Sequence, residues 1–270
     1  MGILDGRVAF ITGVARGQGR NHAVRMAREG ADIIGVDICA EVTSDNTYAA
    51  PTPDDLATTA QLVEDQGRKA LLEVADVRDS AALTEVVRRG IEQFGRLDVV
   101  VANAAICNWN RLWEMSDDQW STLIDVNLTG VFKTLKAAIP AMIEAGNGGS
   151  IIVVSSLAGV KSMPVQSHYS AAKHGLVGLT KSAAIELGQY KIRVNSIHPY
   201  GVNTPMGTDP SALKVFSTFP QYLPSFASIL TDYPLADPDD ISEAVLYLAS
   251  DAARTVTGTQ LTIDMGASKV

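Results

Sequence analysis

Short apolar runs rich in Val, Ile and Ala recur at Arg7 to Thr12, Asp32 to Asp37, Lys69 to Ala75, Asp98 to Ala102, Ser150 to Ser155, Arg193 to Ile197 and Gln260 to Ile263. These runs lack the alternation of a half-solvated strand, which predicts strands buried on both faces. Between them, apolar positions return every three or four residues over Gly19 to Glu29, Asp54 to Gln66, Ser80 to Phe94, Asp117 to Glu144, His168 to Leu187 and Pro238 to Ser250. That spacing predicts helices with one buried stripe. Strand followed by helix along the whole chain predicts an α/β fold on a doubly wound parallel sheet.

Two segments break the rhythm. The stretch 38–53 is a polar, proline-bearing insertion after the second predicted strand, where such connections usually need only about 2 to 6 residues. The stretch 199–237 is longer and carries six of the eleven prolines and six of the sixteen Phe, Tyr and Trp residues. That content predicts a structured apolar flap, a substrate lid, rather than a flexible linker. No repeat or low-complexity tract divides the chain, and its 270 residues read as a single domain, 1–270.

The net charge of -8, with no local cluster of Lys or Arg, speaks against nucleic acid as a partner. The start Met1-Gly2-Ile3-Leu4-Asp5-Gly6-Arg7 lacks a charged segment followed by an apolar core, and no apolar run is long enough to span a bilayer. A cytoplasmic protein with no membrane segment is expected. Gly6 stands where a myristoylation signal needs Ser or Thr. Cys39 and Cys107 end different predicted strands and read as reduced thiols. The four histidines are scattered, and no metal site is expected.

Chemistry enters at Thr12-Gly13-Val14-Ala15-Arg16-Gly17-Gln18-Gly19, between the first strand and the first helix. Glycines there let the backbone approach a pyrophosphate, which the helix N-terminus then favours, as in Rossmann-type folds. The second strand ends at Asp37, followed by Ile38 and Cys39, about 20 residues beyond the glycines, where an adenosine ribose would present its hydroxyls. That carboxylate points to NAD and repels the 2'-phosphate of NADP. Arg16 pulls the other way, because a basic side chain in the loop can pair with that phosphate; a carboxylate facing the phosphate is expected to outweigh a mobile surface Arg.

Tyr169 and Lys173 stand one helical turn apart on one face. A phenol beside an ammonium can exchange a proton near neutral pH when the positive charge stabilises tyrosinate. Ser156, just past the fifth predicted strand, is placed to hold a substrate oxygen, with its neighbour Ser155 as the alternative.

Taken together, these motifs resemble the short-chain dehydrogenase/reductase family over essentially the whole chain. Thr12 to Gly19 matches its glycine loop, Asp76-Val77 its adenine-side pair, Asn103-Ala104-Ala105 its post-strand turn and Asn127 its helix asparagine. Pro199-Tyr200-Gly201-Val202-Asn203-Thr204 resembles the loop that grips the nicotinamide amide, with Val202 and Thr204 as contacts, although Tyr200 displaces the usual glycine by one place. The resemblance implies that Tyr169 exchanges the proton, Ser156 orients the oxygen, Lys173 also holds the nicotinamide ribose, and Asn127 supports a proton-relay water. Asn127 can instead simply satisfy backbone groups at a helix kink. A homotetramer is also implied.

Arg16-Gly17-Gln18-Gly19-Arg20-Asn21-His22, Asp37-Ile38-Cys39 and the 38–53 insertion further resemble the carveol dehydrogenase-like, mycofactocin-coupled members. In those the insertion covers NAD, which mycofactocin reoxidises in place. Met206, Phe216, Phe219, Tyr222, Leu223 and Phe226, with Trp109 and Trp113, are expected to form a pocket for a hydrophobic secondary alcohol or its ketone, such as a terpenoid. The rival reading is a catalytically silent dinucleotide-sensing protein, against which Ser156, Tyr169 and Lys173 speak.

Overall fold

A computed structural model describes residues 2–270, so the N-terminal reading at Met1 lies outside the described residues. The strands are β1 (Val8–Thr12), β2 (Asp32–Asp37), β3 (Ala70–Val74), β4 (Val99–Ala102), β5 (Gly149–Val154), β6 (Ile192–Pro199) and β7 (Gln260–Ile263). The α-helices are α1 (Gly17–Arg28), α2 (Pro53–Glu64), α3 (Ser80–Phe94), α4 (Asp117–Ile124), α5 (Gly130–Ala145), α6 (Ser167–Leu187), α7 (Pro210–Thr218) and α8 (Pro238–Ala249). All seven strands are parallel, in the order β3-β2-β1-β4-β5-β6-β7, as expected for a single Rossmann-type domain. The order reverses between β1 and β4, where the helices that follow the two strands pack on opposite faces of the sheet and leave a crevice.

The unbroken apolar runs have a direct cause. Phe10, Ile34, Val100 and Val153 pack into one core layer with Leu135 and Leu176, while Ile11, Ile33, Val101 and Ile152 pack into the other with Met26 and Val245. Each strand buries alternate residues on opposite faces, and both faces are covered by helices. Helix starts follow local chemistry: Thr52 and Asp55 form a capping box ahead of Pro53, and Asp237 and Asp240 do the same ahead of Pro238.

Three expectations change. The first helix starts at Gly17 rather than Gly19, so the last two loop glycines form its first turn. The long helix expected over Asp117 to Glu144 is interrupted by a π-helical turn at Asp125–Thr129, where the Gly130 N–H reaches back to the Asp125 carbonyl. The 199–237 segment holds α7 and a 3-10 stretch at Pro220–Phe226, with Asp209 capping α7. Among the described residues no helix is long and apolar enough to cross a membrane.

Candidate active site

The crevice is built from the β1 loop outward. The Thr12 hydroxyl accepts the N–H groups of Asn103 and Ala104, each at 3.1 Å, and the Asn103 amide donates to Thr12 O at 2.9 Å and Gly13 O at 3.3 Å. These bonds lock the loops after β1 and β4 together. A Cβ on Gly13 would sit 2.9 Å from Ala104 Cα, and one on Gly19 would sit 2.0 Å from the Gly13 carbonyl, so the close approach excludes any side chain. Gly17, with φ +56°, turns the chain into α1 and faces the cleft. The result is a cradle of bare backbone at a helix N-terminus, the surroundings a pyrophosphate requires.

Asp37 closes the far side. Its buried carboxylate accepts the Ala15 N–H at 3.0 Å and the Cys39 N–H at 3.2 Å, bracing the glycine loop while facing the cleft. Ile38, Asp76, Val77, Asn103 and Ala104 line the same cleft. Asp76 is held below the ordinary carboxylate range because its bonds to Arg78 outweigh the upward push of burial. Arg16 also lines the cleft, and its guanidinium donates to the Ala49 carbonyl and lies 5.9 Å from the centre of the Tyr48 ring.

The insertion therefore folds over the cleft as a strap. Four consecutive residues grip four partners in three places. Asn46 accepts from Asn108 at 3.2 Å, the Thr47 hydroxyl lies 2.6 Å from both carboxylate oxygens of Asp209, and the Tyr48 hydroxyl accepts the Cys107 N–H at 3.2 Å. Ala49 takes Arg16. The strap joins the glycine loop, the segment after β4 and the cap of α7.

Beneath it lie Tyr169 and Lys173, both buried, with the Lys173 ammonium 5.4 Å from the centre of the Tyr169 ring. The Lys173 Nζ donates to Val154 O at 3.0 Å, and the Ser155 hydroxyl donates to Lys173 O at 3.0 Å, which stitches α6 to the end of β5. Ser155 is thereby committed to structure. Ser156 accepts the Ala158 N–H at 3.1 Å, which leaves its own proton free, and its hydroxyl is near enough to the Tyr169 phenol to hold that group's pKa down. Burial pushes the Tyr169 phenol up, only partly offset by Ser156, and pushes Lys173 down to about 8. The expected stabilisation of tyrosinate by Lys173 is thus incomplete in the protein alone, because burial drives both groups toward neutrality.

The Lys173 shift has a consequence for stability. Below about pH 8 the folded protein holds an ammonium in an apolar surrounding, whereas an unfolded chain keeps this charge in water up to about 10.5. Stability from this group therefore rises with pH across that window. Lys173→Met should melt above the wild type at pH 7, with the gap closing toward pH 10.5; scanning calorimetry showing a gap that does not change with pH would contradict this.

Asn127 lies in the π turn, fully buried, and its amide forms a pair with Ile106: Nδ2 donates to Ile106 O at 2.7 Å and Oδ1 accepts Ile106 N–H at 2.9 Å. Its side chain ties the turn to the segment after β4. Thr204 lines the cleft, while Val202 is buried against Ala236 and the α8 side. Of the aromatic residues expected in a substrate pocket, Trp109, Phe216 and Phe226 cluster with ring centres 4.7 to 5.9 Å apart, and Met206 lines the cleft. Trp113 is 71% exposed and stacks on Arg111, which also covers Phe219, so these two rings serve the outer surface.

Arg20, Asn21 and His22 turn out to be anchors. Arg20 donates to Ala15 O, Thr59 and Asp55, Asn21 to Asp239, and His22 meets the Ser242 hydroxyl at 2.7 Å, fixing α1 to α2 and α8. Sequence reasoning missed Thr12, Asn46, Thr47, Tyr48 and Asp209. A lone tyrosine in an otherwise polar insertion was the one available signal.

Over residues 13–268 the chain matches the family model described as enoyl-(acyl carrier protein) reductase. It is 54% identical to an uncharacterized NAD-dependent oxidoreductase of Mycobacterium tuberculosis, covering 99% of this chain and 98% of that protein. It is 45% identical to the (-)-trans-carveol dehydrogenase of Rhodococcus erythropolis, over 98% and 99% of the two chains. The crystal structure of a short chain dehydrogenase from Mycobacterium paratuberculosis bound to NAD superimposes with a TM-score of 0.97 at 45% identity, covering 100% of both chains.

Proposed function

The chain belongs to the short-chain dehydrogenase/reductase family, and on that premise we propose that it is an NAD-dependent dehydrogenase of a hydrophobic, carveol-like secondary alcohol. The observation that carries this reading is the buried Tyr169 and Lys173 pair at the floor of a glycine-lined cleft. Gly13, Gly17, Gln18 and Gly19 would hold the pyrophosphate, Asp37 and Ile38 the adenosine ribose, Asp76 and Val77 the adenine side, Asn103 and Ala104 the middle of the dinucleotide, and Lys173, Val202 and Thr204 its nicotinamide end. When bound, NAD supplies the hydride acceptor and, oxidised, a positive charge beside the phenol. Tyr169 takes the proton of the alcohol, Ser156 orients its oxygen, and Asn127 supports the exit of the proton to solvent. Met206 and the Trp109, Phe216 and Phe226 cluster favour an apolar ring on the substrate.

The strap supports a further part of the proposal: NAD stays bound between turnovers and is reoxidised in place by mycofactocin. Arg16 is engaged by Ala49 and Tyr48, which leaves Asp37 as the residue that sets the preference for NAD over NADP. The protein works as a homotetramer, a reading supported by Phe132 and Ile185, 49% and 83% exposed on α5 and α6. Light scattering at monomer mass would exclude this.

The decisive experiment denatures purified protein, identifies the released nucleotide, and screens cyclic secondary alcohols with an artificial electron acceptor. NAD in amounts matching the protein, with turnover that needs the acceptor, is expected. Protein that loses NAD on dialysis and turns over rapidly with added NAD refutes the coupling. Bound NAD without oxidation of any alcohol favours a sensing protein.

A further inference from the structure

His198, near the carboxyl end of β6, is fully buried and forms no part of the cleft wall. Its Nδ1 lies 2.8 Å from Ser156 O and its Nε2 lies 2.9 Å from the Ser196 hydroxyl. A carbonyl can only accept, so Nδ1 carries the proton. Burial holds the ring below its ordinary range and neutral, which leaves Nε2 bare to accept from Ser196. The two partners thus fix one tautomer.

The register explains why this bond matters. Val154 pairs with Ile197, the Ser155 N–H donates to Ile197 O at 2.9 Å, and β5 then leaves the ladder. Ser156 is the first residue whose backbone has no strand neighbour to orient it. Its carbonyl instead receives two donors, the imidazole of His198 and the Gly159 N–H at 2.9 Å. Two donors on one carbonyl fix the plane of that peptide, and with it the direction of the Ser156 side chain. The backbone there is extended, at φ -169° and ψ 166°.

We propose that His198 is a positioning residue for the hydride-transfer site: by holding the Ser156 peptide it aims the Ser156 hydroxyl at the Tyr169 phenol. This rests on the roles given above to Ser156 and Tyr169. The ring never touches substrate or cofactor, and its effect passes entirely through the serine. Lys173 and His174 of α6 oppose a charge on His198, while Asp264 beyond β7 favours one. The Tyr169 phenol is faced by Ser156, Cys107, Tyr48 and Lys173, of which the bond from Ser156 lowers its pKa.

The test compares His198→Asn with His198→Gln. Asn puts its amide nitrogen close to the position of Nδ1, whereas Gln puts it near Nε2, out of line with Ser156 O. His198→Gln should lower kcat roughly 10- to 100-fold, the scale of a misplaced reacting group, while retaining bound NAD, which also certifies its fold. The rising limb of kcat/KM against pH should move upward, because the phenol loses the bond that lowers it; a merely structural lesion reduces the rate without moving the limb. His198→Asn should restore both. In a Ser156→Ala background, His198→Gln should cost almost nothing further. An unmoved limb, failure of the Asn variant to rescue, or an equal loss in the Ser156→Ala background overturns the proposal. Full activity in Ser156→Ala alone refutes the roles given to the site and the positioning role with them.

Discussion

Tyr169→Phe is expected to fold, keep its NAD and lose about 10²- to 10⁴-fold in turnover, the range contributed by a positioned proton-transfer group. The substitution removes one oxygen. The ring remains packed in the core layer with Leu176 and Ala172, so stability should change little. In the proposed reading the pyrophosphate and adenosine ribose are held at the glycine loop and Asp37, on other elements of the sheet, so most of binding and the proton transfer separate. Single-turnover measurements with the substrate alcohol would show the loss in the chemical step itself, and near-normal turnover would remove Tyr169 from the mechanism.

Tyr48→Ala should make NAD leave about a hundredfold faster. Removing a largely buried aromatic ring costs on the order of 3 kcal/mol, and that penalty falls on the closed strap, which is equivalent to about two powers of ten in release. The same change deprives the Cys107 N–H of its acceptor and the Arg16 guanidinium of the ring it covers. Tyr48→Phe keeps the ring and should lie between the two. Displacement of bound NADH followed by fluorescence measures all three proteins; equal release rates would show that the strap does not retain the cofactor.

The elements of the sheet were legible because the central strands are buried on both faces, which leaves unbroken runs such as Val8 to Thr12 in an otherwise mixed sequence. The proximity of Tyr169 and Lys173 was legible because helix periodicity alone puts them on one face. The π turn was legible only as a kink that Asn127 could satisfy, since its widening depends on Asn127 meeting the backbone of Ile106, a contact between distant parts of the chain. The partners of Arg16 were not legible for the same reason: Tyr48 and Ala49 are brought to it by an insertion whose path no local pattern dictates. Local propensity is silent about such pairings, because each residue's preference is set by a neighbour tens of positions away.

The brace at Asp37 bears on how this enzyme could change its cofactor. Its two carboxylate oxygens hold the N–H groups of Ala15 and Cys39, so the residue that would meet the ribose also sets the shape of the glycine loop. Exchanging it for a small or basic residue would remove a repulsion to the 2'-phosphate and at the same time orphan two buried donors. Preference for one dinucleotide is therefore inherited together with loop geometry, and a lineage or a designer moving toward the phosphorylated form must rebuild two acceptors before gaining anything from a new positive charge.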